Sequence, residues 1–135
     1  MATYTGSCAC GSVRYEFAAE PVFSGHCQCR DCLTDSGHAP LMMIPQASFK
    51  VTGTPKFYER KADSGNTVRN AFCQECGSPL FGLSSGFPDA VLVMAGSLDD
   101  PGRFVPQMVI YTDSGHAWDY MNPSLPKFGK SPAGS

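Results

Sequence analysis

Seven cysteines fall into three tight clusters, and that distribution limits what the chain can fold into more than any other feature. The clusters are Cys8 and Cys10; Cys27, Cys29 and Cys32; and Cys73 and Cys76. A secreted disulfide framework pairs distant cysteines and leaves none over. An odd number, with one or two residues between cluster members, reads instead as metal binding in a reducing compartment, so the expected location is the cytoplasm. The opening MATYTGSCAC has no basic stretch ahead of an apolar one, and so does not read as a secretory signal. The longest strongly apolar run, AVLVMAG at 90–96, is far too short to cross a bilayer, and no membrane partner is expected.

Length and composition permit one core. The 135 residues suit a single domain, and 42% hydrophobic with 16% charged residues is the balance of a compact folded chain rather than a disordered one. The formal charge is -2 and the ten basic residues are scattered, so no stripe tracks a nucleic-acid backbone. Arg60, Lys61 and Arg69 form the one local basic grouping; it reads as a solvated face, with a small anion as the functional alternative.

Period-2 runs closed by turn residues recur along the chain: SVRYEF, HAPLMMIP, SFKVTG, KFYERKA, TVRNAFC, PLFGLS, AVLVMAGSL and QMVIYT. They predict about eight short strands, with the glycines and prolines mostly between them. No segment carries helical periodicity over three turns, and CRDCLTDSG offers at most one short helical turn. The fold class is therefore mainly β. A single domain is expected over 1–128, followed by a flexible tail over 129–135.

The cysteine spacings suit zinc. A tetrahedral site with sulfurs at about 2.3 Å from the metal brings two sulfurs within about 4 Å of each other, as a C-x-x-C turn does. FCQECG has that form, with Gly77 after the second cysteine to permit a left-handed turn. GSCACG is the matching two-sulfur piece, since residues i and i+2 of an extended strand share a face. The third cluster has three cysteines, one short of a closed site. It fits a catalytic zinc with an open position, a site closed by His26 or His38, or a cluster that is merely reduced or disulfide-bonded. Spacing also permits other partitions, such as Cys8 and Cys10 with Cys27 and Cys29.

Taken together, GSCACGSVRYEF, HCQCRDC followed by Ser36-Gly37, FCQECGSPLF, AGSLDDP and IYTDSGHAW resemble the glutathione-dependent formaldehyde-activating enzyme family, which also includes centromere protein V. The resemblance runs from about residue 3 to about residue 128. It implies a zinc-stabilised β-tent of short antiparallel strands. It also implies a structural zinc on Cys8, Cys10, Cys73 and Cys76, and a second, catalytic zinc on Cys27, Cys29 and Cys32. The implied activity is that of a carbon-sulfur lyase of the S-hydroxymethylglutathione synthase kind, with glutathione or another small thiol and formaldehyde or another small electrophile as partners. Three thiolates blunt the Lewis acidity of a metal, so a substrate thiolate as fourth ligand suits such a site better than a hydroxide.

The chain departs from the family pattern at three places: Gln28 stands between the first two cysteines of the cluster, Leu33 follows the third, and Val109 replaces a histidine. These losses motivate an alternative function, a non-catalytic zinc-stabilised β module that binds a protein or small molecule. His26, His38 and His116 are candidate general bases, although His26 adjoins Cys27 and neighbours in an extended segment face opposite ways. Arg30 can anchor a carboxylate or simply be an exposed loop charge, and it and Asp31 lie inside the cluster. Trp118 reads as a core or rim aromatic ahead of a substrate platform. The six methionines, Met42, Met43 and Met94 among them, read as core filler.

Overall fold

A computed structural model describes residues 3–62 and 64–131, with Asp35 described by its backbone alone. Ten strands, one short α-helix and four single-turn 3-10 helices are present among them. A three-stranded antiparallel sheet joins β1 (Tyr4–Ser7), β2 (Arg14–Phe17) and β5 (Lys50–Thr52) in that order. The larger sheet has seven strands: β3 (Phe23–Cys27), β4 (Ala39–Pro45), β6 (Lys56–Lys61), β7 (Thr67–Phe72), β8 (Pro79–Ser84), β9 (Phe87–Met94) and β10 (Met108–Ile110). Their spatial order is β10-β3-β4-β9-β8-β7-β6. The pairs are antiparallel except β10 with β3, which is parallel and departs from the expected antiparallel arrangement. Helix α1 (Arg30–Ser36) follows β3 and ends at Gly37, whose φ of 93° suits glycine alone among common residues.

The period of two puts one set of side chains between the sheets. Tyr4, Tyr15 and Phe17 of the small sheet meet Met42, Ile44, Phe81, Val91 and Val93 of the large one. Aromatic rings bridge the layers, with Phe49 5.3 Å from Tyr15 and 4.9 Å from Phe81 between centroids. Tyr15 is held there by a bond between its hydroxyl and Ser97 Oγ at 2.6 Å, and burial pushes its phenol up to about 12. The alternate residues of the large sheet, Leu41, Met43, Leu92 and Met94, point away from this core. Only Met42 of the three methionines singled out is core filler; Met43 and Met94 line a groove on the opposite face.

Two strands escape the alternation rule. In β1 and β3 glycine stands where backbones or rings approach closely, which removes the apolar signal. A Cβ on Gly6 would collide with the Tyr15 ring, and one on Gly25 would lie 2.6 Å from the Met108 carbonyl oxygen of β10. Beyond β10 the chain turns at Tyr111, the one described non-glycine residue with positive φ, at 59°. It then folds back so that the amides of Thr112 and Asp113 donate to the carbonyls of Phe128 and Gly129, while Lys130 O accepts from Tyr111 N. The expected tail lies outside the described residues from 132 onward.

Gly25→Ala is expected to force β10 from β3 and cost about 1–3 kcal/mol. Chemical denaturation should show the loss, and faster amide exchange at Gln28, whose N–H donates to Ile110 O, should place it at this pair.

Candidate metal centres

The seven sulfurs sort into a group of four, Cys8, Cys10, Cys73 and Cys76, and a group of three, Cys27, Cys29 and Cys32, with the sulfurs of each group all within 4.8 Å of one another. In the first group Cys10 Sγ lies 3.7 Å from both Cys8 Sγ and Cys73 Sγ. That spacing is close to the sulfur-sulfur edge of a zinc tetrahedron, about 4 Å or slightly less, so the donor set fits the metal in both chemistry and size. Two turns present it. Gly11 and Gly77, at φ 81° and 78°, close the loops after Cys10 and Cys76, and their amides donate to Cys8 O and Cys73 O. The first piece is thus a turn beyond the end of β1, not the extended strand expected for C-x-C. Amides of Val13 and Glu75 donate to Cys8 Sγ and Cys73 Sγ at 3.3 and 3.4 Å.

Two serines support this group and were not singled out from the sequence. Ser12 Oγ lies 3.1 Å from Cys10 Sγ and 3.2 Å from Cys73 Sγ, while Ser78 Oγ lies 3.1 Å from Cys76 Sγ and accepts from Ala9 N at 3.0 Å. Hydrogen bonds from Ser78, side chain first and backbone next, hold the Cys76 thiol down at about 5, which favours the thiolate a metal requires. The signal was available: each serine sits two residues beyond a cysteine of a turn, where hydroxyls reach back.

The three-cysteine group is built by the end of β3 and the start of α1. Cys27 closes the strand and Cys29 is the N-cap of α1, its sulfur accepting from Cys32 N at 3.4 Å. One helical turn then carries Cys32 back, with its sulfur 3.2 Å from that of Cys29. So close together, the three thiols oppose one another's ionisation. Hydrogen bonds from Cys27 and then Cys32 hold the Cys29 thiol down at about 2. The bond to Cys29 pushes Cys27 up to about 12, and bonds to Cys27 and Cys29 push Cys32 up as well. A divalent, thiophilic cation is the natural means of keeping all three ionised.

These three cysteines stand at one end of a groove of 810 Å³ on the face of the seven-stranded sheet turned away from the small sheet. None of the other four cysteines lines it. Across the groove Arg60 of β6 reaches Asp31 of α1, Nη1 to Oδ2 at 2.5 Å. The basic grouping expected of Arg60, Lys61 and Arg69 is divided, because alternate residues of a sheet face opposite ways: Lys61 and Arg69 share one face and Arg60 takes the other. Arg60 lines the groove, whereas Arg69 lies 4.4 Å over the Phe57 ring.

Behind the cluster, on the other face of β3 and β4, lies a polar latch. Gln28, 4% exposed, donates from Nε2 to Asp119 Oδ2 at 3.1 Å, and His38 Nδ1 bonds Asp119 Oδ1 at 2.8 Å. His26 stacks edge-on to His38 at 4.9 Å, its Nδ1 buried without a partner, and burial ahead of the neighbouring His38 lowers its pKa. The departures at 28 and 109 belong to this side. Gln28 is buried and bonded to Asp119, and Val109 pairs with His26 in register and is fully buried, while its neighbour Ile110 lines the groove. Asp119 was not foreseen, because nothing in the sequence relates it to Gln28, 91 positions away.

The remaining candidates lie elsewhere. His116 stacks on Trp118 at 5.6 Å; both are exposed, and Trp118 covers Gly37 rather than the groove. Arg30 opens α1, exposed and outside the groove lining, and Leu33 is half-buried on the same helix.

A mainly β domain carrying a four-sulfur knot and a three-sulfur cluster beside a groove defines a cysteine-rich protein with two groups that could hold metal ions. The chain belongs to the family described as glutathione-dependent formaldehyde-activating enzyme, which matches residues 3–114. The fold is also that of a crystal structure of a Rhodobacter sphaeroides protein from a structural genomics programme, at a TM-score of 0.58 and 16% identity, covering 92% of this chain and 98% of that one. No curated protein matches the chain.

Two outcomes follow from this geometry. Asp119→Ala removes the acceptor of both Gln28 and His38, and is expected to cost about 1–3 kcal/mol in chemical denaturation while leaving the four-cysteine group able to bind metal. Metal uptake by the three-cysteine group must displace the protons of Cys27 and Cys32, so its affinity should rise with pH. Competition with a chromophoric chelator at about pH 6.5 and about pH 8 should show tighter binding at the higher value.

Proposed function

We propose that the chain is a zinc-dependent carbon-sulfur lyase acting on the adduct of a small thiol, of which glutathione is the type, with formaldehyde or a related small electrophile. The observation that supports this reading most is the placement of the two sulfur groups. The four-cysteine group ties two turns together and contributes none of its cysteines to the groove, as a structural zinc site would, whereas the three-cysteine group opens onto the groove with one ligand fewer than a closed site needs. In this reading Cys8, Cys10, Cys73 and Cys76 hold the structural zinc, and Cys27, Cys29 and Cys32 hold the catalytic one.

The residues have distinct tasks. Cys27, Cys29 and Cys32 supply three thiolates on a strand end and one helical turn, and the Gln28–Asp119–His38 latch holds that loop in place. Zinc held by these three thiolates would supply the Lewis acidity that favours the thiolate form of a substrate thiol near neutral pH. The groove wall excludes water on one side and orients the adduct. In the forming direction the thiol sulfur bonds to the carbonyl carbon, the carbon-oxygen π pair moves to oxygen, and the proton lost by the thiol ends on that oxygen. Cleavage reverses each movement, and nothing is oxidised or reduced. His26 and His38 lie behind the cluster and do not face the reacting sulfur. Seven unpaired thiols suit a reducing compartment, and the cytoplasm is the location proposed.

Zinc content by elemental analysis should be about two equivalents per chain, falling to about one after dialysis against a mild chelator. Cys32→Ala is expected to lower thiol-dependent turnover at least about a hundredfold, since loss of a group merely supporting a ligand already costs 10–100-fold. Cys76→Ala should instead lower the denaturation midpoint. One equivalent throughout, with turnover unchanged in Cys32→Ala, would overturn the reading in favour of a non-catalytic binding module.

A further inference from the structure

The chemistry of the groove changes along its length. On one wall β3, β4 and β9 present Phe23, Leu41, Met43, Leu92 and Met94, each half-buried and open to the groove. From β6, β7 and β8 come Tyr58, Asn70 and Ser84, which are polar but uncharged. Gly82 clears the floor between these halves, since a Cβ there would come within 3.2 Å of Asn70 Oδ1. Among the described lining residues Arg60 is the one cationic side chain, and Asp31 already neutralises it at 2.5 Å, with side-chain exposures of 18% and 30%. Beside that pair the three cysteines are negative, because they are thiolates whenever they act.

An occupant with free carboxylates fits such a surface poorly. Each carboxylate taken from water needs a cation or several N–H donors in exchange, and the described groove lining offers no uncommitted cation. A volume of 810 Å³ lies within the range of small-molecule sites, roughly 300–1,000 Å³, and apolar walls with a few polar groups are their usual make-up. We propose that the groove binds the uncharged, apolar body of a thiol, an aryl or alkyl group lying over Leu41, Met43, Leu92 and Met94 with its sulfur end at Cys27, Cys29 and Cys32. This rests on reading that cluster as the reaction site, and it narrows the thiol class from charged peptides such as glutathione to apolar thiols. Met43 and Met94 suit the role, since unbranched thioethers adapt to ligands of varied outline.

The test is isothermal titration calorimetry of the zinc-loaded full chain with 2-phenylethanethiol and with glutathione. The aryl thiol should bind tighter by about tenfold or more, the effect of one leucine-sized apolar contact removed from water. Leu92→Asp should erase that preference with zinc content unchanged. Should Leu92→Asp fail to fold, Gly82→Val, which fills the floor, should weaken the aryl thiol and not glutathione. Glutathione binding as tightly as the aryl thiol, or a preference untouched by either change, overturns the proposal. So does a dimer in sedimentation analysis that Leu92→Asp dissociates, because a second copy would then cover the groove. Adduct formation with formaldehyde, followed by NMR with each thiol, separates the two readings. Absence of turnover with both, beside an intact aryl preference, removes the lyase and leaves the groove assignment standing; turnover without the preference does the reverse.

Discussion

The four-sulfur knot is the constraint on which the remaining structure depends. The small sheet has strands of only four, four and three residues, too little to hold together alone. It is attached to the large sheet by an aromatic layer and by Cys8 and Cys10 meeting Cys73 and Cys76. Cys10 and Cys73 are 63 positions apart, and most of the chain that builds both sheets lies between them. A metal joining these sulfurs would act on the unfolded chain as a cross-link does, and it would also fix the separation of the two layers in the folded one. Cys8 and Cys73 belong to the buried core itself, next to the residues that pack between the sheets. Knot and core are therefore one unit, and the groove lies on the other side of the large sheet.

The large sheet uses both of its faces. Along β4, Met42 and Ile44 enter the core while Leu41 and Met43 open to the groove, and β9 repeats the pattern with Val91 and Val93 against Leu92 and Met94. The same alternation separates Cys27 from His26 at the end of β3. Cys27 is thereby kept on the groove face and His26 on the other. What crosses between the faces is the backbone of the loop from Cys27 to Cys32, held behind by Asp119 through Gln28 and in front by Arg60 through Asp31.

Much of this was legible in the sequence, for local reasons. Eight of the strands declared themselves by alternation, α1 by one short helical turn, and the cysteines by spacing. Glycine concealed β1 and β3, where close backbone or ring approach replaces side-chain burial. The partition of the sulfurs into four and three needed the fold, because spacing alone permits other groupings. Long-range polar pairs left no trace at all: Asp119 with Gln28 and Arg60 with Asp31 are set by how the chain folds back on itself, and neither has a periodicity to read. The methionines misled for a related reason, since a groove wall and a core carry the same residue types in a sheet with two apolar faces.

The departures from the family pattern take on a different meaning once their positions are known. Gln28 and Val109 both belong to the support of the three-cysteine loop, on the side away from the groove. A neutral amide at 28 can donate to Asp119 whatever the pH, so the latch does not depend on protonating a group beside thiolates. Val109, fully buried, packs where a polar ring would have needed a partner of its own, and the buried Nδ1 of His26 already lacks one. Polarity lost from this side therefore leaves the thiolates and the groove wall unchanged. The groove departs from a charged tripeptide through its own residues, by committing Arg60 to Asp31 and lining β4 and β9 with aliphatic and thioether side chains.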